Sequence, residues 1–454
     1  MNQRTRRLSM LIAASGTVIE WFDFSLFFYL ATSLSATYYP NSENSTLLVL
    51  AIAAVGFVFR PLGAVVFGHI GDTRGRTVAL IASAGLMAVS MAGIALTPGY
   101  ATIGAWGGII VLLFRALAGF SVGAEYTGIM VYLTETARPN RRGLAASWAA
   151  ANSEVGALLA VGSAALVTRI FGTEALHDWA WRLPFVLGAF FAAGMIPLRK
   201  YMAESPAVTT SADSSVARPD GGAQVASRSA AGFVARVSQA GHPASADADG
   251  AAASTPLMYT FREQKMAVLV SFLISTVGSA SYFLTITYIP TYVESMNTDS
   301  MTALRLGIVA AVAAIVVTPF VGLAADVFGR RRAFIATLLA LLALAVPGYA
   351  MLSSGSAWVL GVAAALLAAP AAAWSAIAAS SVPEQFPAHG RFSGMAIGYN
   401  LAAVLFGGLT PAVVSMLTSA TGNLLAPAYY AIAVSVCAGV PALWLMREKI
   451  SVRA

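Results

Sequence analysis

Long apolar runs dominate this chain and leave few folds open to it. Of its residues, 58% are hydrophobic and only 10% are charged, whereas soluble globular proteins carry about 25% charged residues. The runs reach the roughly 20 residues that an α-helix needs to cross ~30 Å of hydrocarbon. Because lipid offers no partner to a bare backbone N–H or C=O group, each run is predicted to be a helix. The expected fold class is an all-α integral membrane protein.

Twelve spans and one polar segment divide the chain. The spans of the first half are predicted at residues 10–34, 47–70, 77–97, 104–135, 143–168 and 182–201. Those of the second half are predicted at residues 265–293, 303–327, 333–353, 357–381, 391–418 and 427–447. The segment between them is rich in Ala, Ser, Gly, Asp and Pro, a composition typical of disorder. We therefore expect a six-helix bundle at 1–201, a disordered cytoplasmic linker at 202–264 and a second six-helix bundle at 265–454.

The basic residues predict the orientation of the spans. One set of loops contains 22 of the 27 Lys and Arg residues, and the other set contains only Arg169, Arg182 and Arg305. Cytoplasmic loops carry the excess of positive charge, so both termini are expected in the cytoplasm and the protein in the cell (inner or plasma) membrane. The basic residues form no continuous stripe, so no nucleic-acid partner is expected.

A loop motif, G-x-x-x-D-x-x-G-R, occurs once in each half between two apolar runs. The first copy runs from Gly68 to Arg76 and the second from Gly322 to Arg330. Two copies at matching positions indicate a duplicated chain with two pseudo-symmetric halves. The motif aspartates, Asp72 and Asp326, each end a span, where a carboxylate can cap the next helix or pair with loop arginines.

Charged side chains inside the first-half spans are the main functional signal. A charge at the centre of a bilayer costs about 2.5–3.5 kcal/mol on insertion scales, so such residues are expected to pair or to function. Three acids against two arginines leave one carboxylate without a cationic partner, which makes it a natural proton carrier. The alternative is a fixed ion-pair network that only holds the helices together. The five residues, which counting along the helices places near mid-depth, are Glu20, Asp23, Arg60, Arg115 and Glu154.

The second half has no charge at mid-depth and offers polar and aromatic side chains instead. Amphipathic rings with a few hydrogen-bonding groups suit a small polar substrate held between the two halves. Each residue taken singly is also compatible with plain helix packing. The predicted substrate wall comprises Tyr282, Tyr288, Trp374, Tyr399 and Asn400, with Arg60 and Arg115 facing it from the first half.

Several strings resemble one family of carriers. With the paired loops and twelve spans, the chain resembles the major facilitator superfamily and, within it, the metabolite:proton symporter family of dicarboxylate, tricarboxylate, shikimate and betaine carriers. It departs from that family at Ala124, Glu154 and His389. The strings are Glu20-Trp21-Phe22-Asp23-Phe24, Phe59-Arg60-Pro61-Leu62-Gly63, Gly123-Ala124-Glu125-Tyr126, Glu384-Gln385-Phe386-Pro387 and Gly398-Tyr399-Asn400.

The resemblance implies roles for these residues. It supports Asp23 as the proton-coupled acid with Arg115 as its switching partner; Glu20 competes for the role, and Glu154 is a further candidate. It also implies that the loop motifs form a gate on the cytoplasmic side. The expected gate residues are Gly68, Asp72, Arg74, Gly75, Arg76, Glu125, Asp326, Gly329 and Arg330.

The predicted function is proton-coupled symport of a small organic anion, a mono-, di- or tricarboxylate, by alternating access. Arg60 and Arg115 favour an anion because a guanidinium binds a carboxylate through two parallel hydrogen bonds. The alternative is a betaine carrier, since Tyr282, Tyr288 and Trp374 could surround a quaternary ammonium. A drug-efflux antiporter and a non-transporting sensor are less favoured. We expect a monomer, and the sequence predicts no enzyme, cofactor or metal site.

The predicted linker leads to a first test. Deleting residues 212–250 is expected to leave transport rates within about twofold, because a flexible tether of the remaining length still joins the two halves. Uptake by the deletion variant and the full chain in proteoliposomes measures this. A loss of uptake at normal protein abundance would show that the segment does more than tether.

Overall fold

The computed structural model describes residues 3–74, 76–123, 126, 129–130, 133–134, 137–199, 262–353, 356–387 and 391–447. The predicted linker lies almost wholly outside this set. All regular elements in the described part are helices.

The first half contains six long helices and a few short ones. The long helices are α1 Gln3–Tyr29, α2 Ser45–Arg74, α3 Arg76–Leu96, α4 Trp106–Ser121, α5 Arg142–Phe171 and α6 Arg182–Arg199. Short helical segments at Ala31–Tyr38, Tyr100–Ile103, Pro139–Arg141, Thr173–Ala175 and Leu176–Ala180 lie at their ends or between them.

The second half repeats the pattern with three π-helical interruptions. It contains α7 Lys265–Tyr282, α8 Ser300–Phe328, α9 Arg330–Leu352, α10 Ala357–Glu384, α11 Arg391–Ala402 with Thr410–Thr421, and α12 Ala426–Val434 with Val440–Leu445. The π-helical turns are Phe283–Thr287, Ala403–Gly408 and Ser435–Gly439, and Ile289–Glu294 follows the first of them. A 3.6-residue hydrophobic pattern does not reveal these turns, because each inserts one residue within an apolar run.

Ten helices in the described part are long and apolar enough to cross a membrane by length and composition, and Trp106–Ser121 is a shorter apolar one. With α1 they match the twelve predicted spans. Successive helices alternate in direction, so the bundle has two faces. We call the face at which α1 begins the N-terminal face, and the other the opposite face.

The two halves meet along α5 and α2. Helix α5 packs against α1 in its own half and against α8 and α10 in the other half, and α2 packs against α4 and the middle of α11. Small residues permit the closest approaches within a half. A Cβ added at Gly119 of α4 would overlap the carbonyl oxygen of Gly56 on α2. This is the small-residue packing that joins membrane helices where no hydrophobic driving force acts between them.

This contact predicts the effect of one methyl group. Gly119→Ala is expected to destabilise the fold by about 1–3 kcal/mol, because two backbones must separate. Gly162→Ala on α5 is the matched control, since its Cβ has nothing within 4 Å and both changes gain similar helix propensity. Melting temperatures of the purified variants in detergent compare them. Equal melting temperatures would contradict the close-packing interpretation.

Candidate functional site

Two ion pairs lie buried in the first half. The Arg60 Nη2 atom is 3.0 Å from Glu20 Oε1, and Arg115 Nη1 donates a hydrogen bond to Asp23 Oδ2 at 2.7 Å. All four side chains are at most 2% exposed. Each arginine therefore neutralises one acid of α1, and each pair carries no net charge.

The ring of Phe24 lies between the two arginines. The Cζ atoms of Arg60 and Arg115 are 4.2 Å and 4.1 Å from its centroid, within the range of cation–π attraction. Phe57 contacts Arg60 at 4.6 Å and Phe27 contacts Arg115 at 4.9 Å in the same way. The aromatic rings thus hold both guanidinium groups in place beside their acids.

Glu154 differs from the other two acids. It lies near the middle of α5 and is 0% exposed, yet neither carboxylate oxygen has a hydrogen-bond or ion-pair partner among the described residues. The hydroxyls of Tyr29, Tyr126 and Tyr282 lie close enough to interact with it electrostatically. Glu154 is therefore the acid that the two arginines leave over.

A cavity of about 50 Å³ lies between the halves, and six of its sixteen described lining residues are aromatic. Trp21 meets Tyr282 across the two halves with ring centroids 4.8 Å apart, and Tyr126 meets Tyr399 at 5.3 Å. None of the described residues on the wall is charged. The remaining wall residues that matter for binding are Phe57, Phe283 and the hydroxyl-bearing Ser153, Ser275, Ser279 and Ser375.

The predicted wall residues divide into two groups. Tyr282 and Tyr399 line the cavity. Trp374 does not: its Nε1 donates to the Ile274 carbonyl at 2.8 Å and its ring packs on Phe334. Adjacent helical residues point about 100° apart, so Ser375 faces the cavity while Trp374 packs between α7 and α9.

The two other predicted residues also lie away from the cavity. Tyr288 packs against Tyr292 with ring centroids 6.1 Å apart, and Asn400 is buried beside Tyr399 without lining the cavity. Arg60 does not line the cavity, but its guanidinium packs on the ring of Phe57, which does. Sequence reasoning missed several wall residues, among them Trp21 and Tyr126, which belong to the strings that carried the family resemblance. The others include Ser153, Phe57, Phe283, Ser275 and Ser279.

At the N-terminal face, Asp326 joins the two halves. Its carboxylate accepts hydrogen bonds from the backbone N–H groups of Gly143 at 2.7 Å and Leu144 at 2.8 Å, the first turn of α5. Arg330 donates to Asp326 at 2.8 Å and to Glu384 at 3.3 Å. The carboxylate thus caps a helix of the other half and pairs with the loop arginine Arg330. Of the two roles predicted from sequence, the structure shows the pairing with a loop arginine and not the capping of the following helix, α9.

The second motif ends α8 at Gly329, whose φ of +93° favours glycine at this position. The first motif copy is described less fully. Gly75 and Glu125 lie outside the described residues. The structure also does not describe the side chains of Asp72, Arg74 and Arg76, or the surroundings of Gly68. Of the residues predicted to form a gate, the structure therefore describes the surroundings only of those in the second motif copy.

Other contacts join the halves at the opposite face. The Thr32 hydroxyl donates to Glu294 Oε2 at 3.0 Å. The imidazole of His177 lies between Ser33, 3.0 Å from Nδ1, and Ser300, 3.3 Å from Nε2. Burial raises the pKa of Glu294 and lowers the pKa of His177. Contacts between the halves thus lie at both faces, with the cavity between them.

These features define a class. Twelve helices in two halves, a cavity between them and buried acids in the first half are the features of a membrane carrier for a small solute. The chain matches the family model for sugar (and other) transporters over residues 10–446. It belongs to that family, and it is a multi-pass membrane carrier, not an enzyme.

Relatives and solved structures agree. A proline/betaine transporter of Salmonella typhimurium is 30% identical over 433 residues, covering 95% of this chain and 81% of the relative. A citrate-proton symporter of Klebsiella pneumoniae is 28% identical over 444 residues, covering 97% and 92%. The proton:xylose symporter XylE, of the major facilitator superfamily, superposes with a TM-score of 0.75 at 19% identity, covering 99% of this chain and 97% of XylE. The predicted twelve-helix fold and the family resemblance are confirmed, and proton-coupled transport is supported.

The His177 contacts predict a pH dependence of closure at the opposite face. Opening restores the usual pKa of about 6.5, so the open state binds more protons below that pH. Lowering the pH below 6.5 is therefore expected to increase the open population, and raising it to restore closure. Spin labels at Glu43→Cys and Ser419→Cys, in a Cys437→Ser background, report the distance between the halves.

His177→Gln is the control in this experiment. It removes only the imidazole contribution, while Glu294, whose raised pKa favours closure at low pH, titrates in both proteins. The difference between the two pH profiles isolates His177. Identical profiles would mean that His177 does not control closure.

Proposed function

We propose that this protein is a proton-coupled symporter of a small zwitterion with a cationic nitrogen, such as a betaine, in the plasma membrane. The observation that carries the proposal is the aromatic cavity, whose described wall residues include no charged group. A cationic nitrogen is attracted to the faces of Trp and Tyr rings. Trp21, Tyr126, Tyr282 and Tyr399 bring such rings to one small space. The serine and tyrosine hydroxyls can donate to the solute's carboxylate.

Both arginines are engaged elsewhere, which weakens the case for a di- or tricarboxylate. Arg60 and Arg115 were predicted to bind such an anion, but each is paired with an acid of α1. A multiply charged anion in this cavity would lie beside aromatic faces, which repel it, without a described counter-charge. The size of the cavity also argues against a di- or tricarboxylate, because about 50 Å³ corresponds to roughly three to five water molecules.

The relatives support both a zwitterion and an anion. The Salmonella relative is named as a proline/betaine transporter and the Klebsiella relative as a citrate-proton symporter. An organic anion, the first choice from sequence, is therefore the second candidate. It requires one arginine to exchange its acid for the solute. We also propose, from the distribution of basic residues, that the N-terminal face is cytoplasmic.

Uptake into proteoliposomes tests the proposal. With a pH gradient, alkaline inside, radiolabelled glycine betaine is expected to accumulate, and collapsing the gradient with a protonophore is expected to stop accumulation. Excess unlabelled proline is expected to compete and citrate to compete poorly. Accumulation of citrate without accumulation of betaine would contradict the proposal and favour the second candidate.

One ring of the cavity provides a sharper test. Tyr282→Ala is expected to weaken betaine binding about tenfold or more, because a desolvated cation–π contact contributes about 2 kcal/mol. Tyr429→Ala is the control, since Tyr429 is 51% exposed on the outside of the bundle. Binding is measured by calorimetry on purified protein. Unchanged affinity of Tyr282→Ala for betaine would show that the Tyr282 ring does not contact the solute.

A further inference from the structure

One charged residue of the membrane interior has no role in the ion pairs. In the described core of the first half, Glu20 and Asp23 are each neutralised by an arginine at 3.0 Å and 2.7 Å. Glu154 is the fifth charged group and has no such partner among the described residues. With all five groups ionised, this core carries one net negative charge.

An ionised carboxylate in this position is strongly disfavoured. Glu154 is 0% exposed, and moving a lone ion out of water is costly unless it is paired and hydrogen-bonded. The surrounding phenols of Tyr29, Tyr126 and Tyr282 supply no full positive charge. One bound proton would make the enclosed core electrically neutral.

We propose that Glu154 carries the coupled proton through the closed state, with one proton for each zwitterion. The count of one proton rests on the proposed function, because a zwitterion adds no net charge to the cavity. A solute with one net positive charge would neutralise the core without a proton, and a monoanion would require two.

Asp23 is a poorer carrier in this closed state. Its carboxylate accepts a hydrogen bond from Arg115 Nη1, and protonating it would leave the buried guanidinium without its counter-charge. The sequence pointed to Asp23 because of the family resemblance. Three acids and two arginines still leave one acid without a cationic partner. The pairs in the structure show that this acid is Glu154.

The position of Glu154 also explains why solute and proton move together. Its neighbour Ser153 lies on the cavity wall, together with Tyr126 and Tyr282. Glu154 itself does not line the cavity, but Tyr126 and Tyr282, which interact with it, do. Water in an empty cavity can solvate the carboxylate through these hydroxyls, and a solute that fills the cavity displaces this water. Occupation by the solute therefore favours the protonated form of Glu154, and release of the solute favours loss of the proton.

Infrared spectroscopy tests the assignment without any solute. At neutral pH the wild-type protein is expected to show a protonated-carboxyl C=O band that disappears in Glu154→Gln and persists in Asp23→Asn. Glu154→Asp keeps a carboxyl group at this position and is expected to show the band at a shifted frequency. This control distinguishes loss of the carboxyl group from loss of the band through misfolding. A band that disappears in Asp23→Asn and persists in Glu154→Gln would overturn the proposal.

Transport measurements test the coupling. Glu154→Gln is expected to exchange labelled for unlabelled betaine across the membrane, yet to lose gradient-driven accumulation at least tenfold. Glu174→Gln is the matched control, because Glu174 is an exposed acid on the loop that follows α5, and it is expected to accumulate betaine normally. Normal accumulation by Glu154→Gln would overturn the proposal.

The two experiments separate this inference from the proposed substrate. If betaine is not transported but the carboxyl band belongs to Glu154, the substrate proposal fails and the proton site stands. If betaine accumulates in the wild type and also in Glu154→Gln, the proton site fails and the substrate proposal stands. Proton flux measured with an internal pH dye gives the proton-to-solute ratio, and a ratio other than one overturns the count.

Discussion

The cost of placing a charge in hydrocarbon shapes the interior of this carrier. Besides Arg199 at the end of α6, five charged side chains lie buried in the described part of the first half, and the structure neutralises four of them in two pairs. Phe24, Phe27 and Phe57 surround the arginines of these pairs. The guanidinium groups are thus fixed away from the cavity, so the wall is left to aromatic rings and hydroxyls. The charge balance of the core and the chemistry of the cavity are two consequences of the same constraint.

Closure of the two faces depends on different chemistry. At the N-terminal face a carboxylate of α8 caps the first turn of α5, where the helix dipole and free N–H groups favour a negative charge. At the opposite face, hydroxyl groups, Glu294 and His177 make the contacts between the halves. A carrier must break one set while it keeps the other. Burial lowers the pKa of His177 and raises the pKa of Glu294, so the contacts at the opposite face respond to pH.

Some of the site was readable from sequence and some was not. The buried charges were identified because ionisable residues are rare in apolar runs, and two of the residues predicted for the wall, Tyr282 and Tyr399, line the cavity. Trp374 was not, because periodicity identifies a helix without fixing which direction each residue faces. The His177 and Glu294 contacts join segments more than 100 residues apart, and no local pattern signals such a meeting.

The sequence by itself determined the class of fold, because spans of about 20 apolar residues can only be helices in lipid. It also determined that the interior holds three acids and two arginines, and therefore one excess negative charge. Only the tertiary structure decided which acid is left over. Pairing depends on how α1, α2, α4 and α5 pack, and that packing places Arg60 beside Glu20 and Arg115 beside Asp23. Glu154 lies on α5, whereas the two pairs join residues of α1, α2 and α4. In the described core no third arginine contacts Glu154, so its carboxylate has no cationic partner.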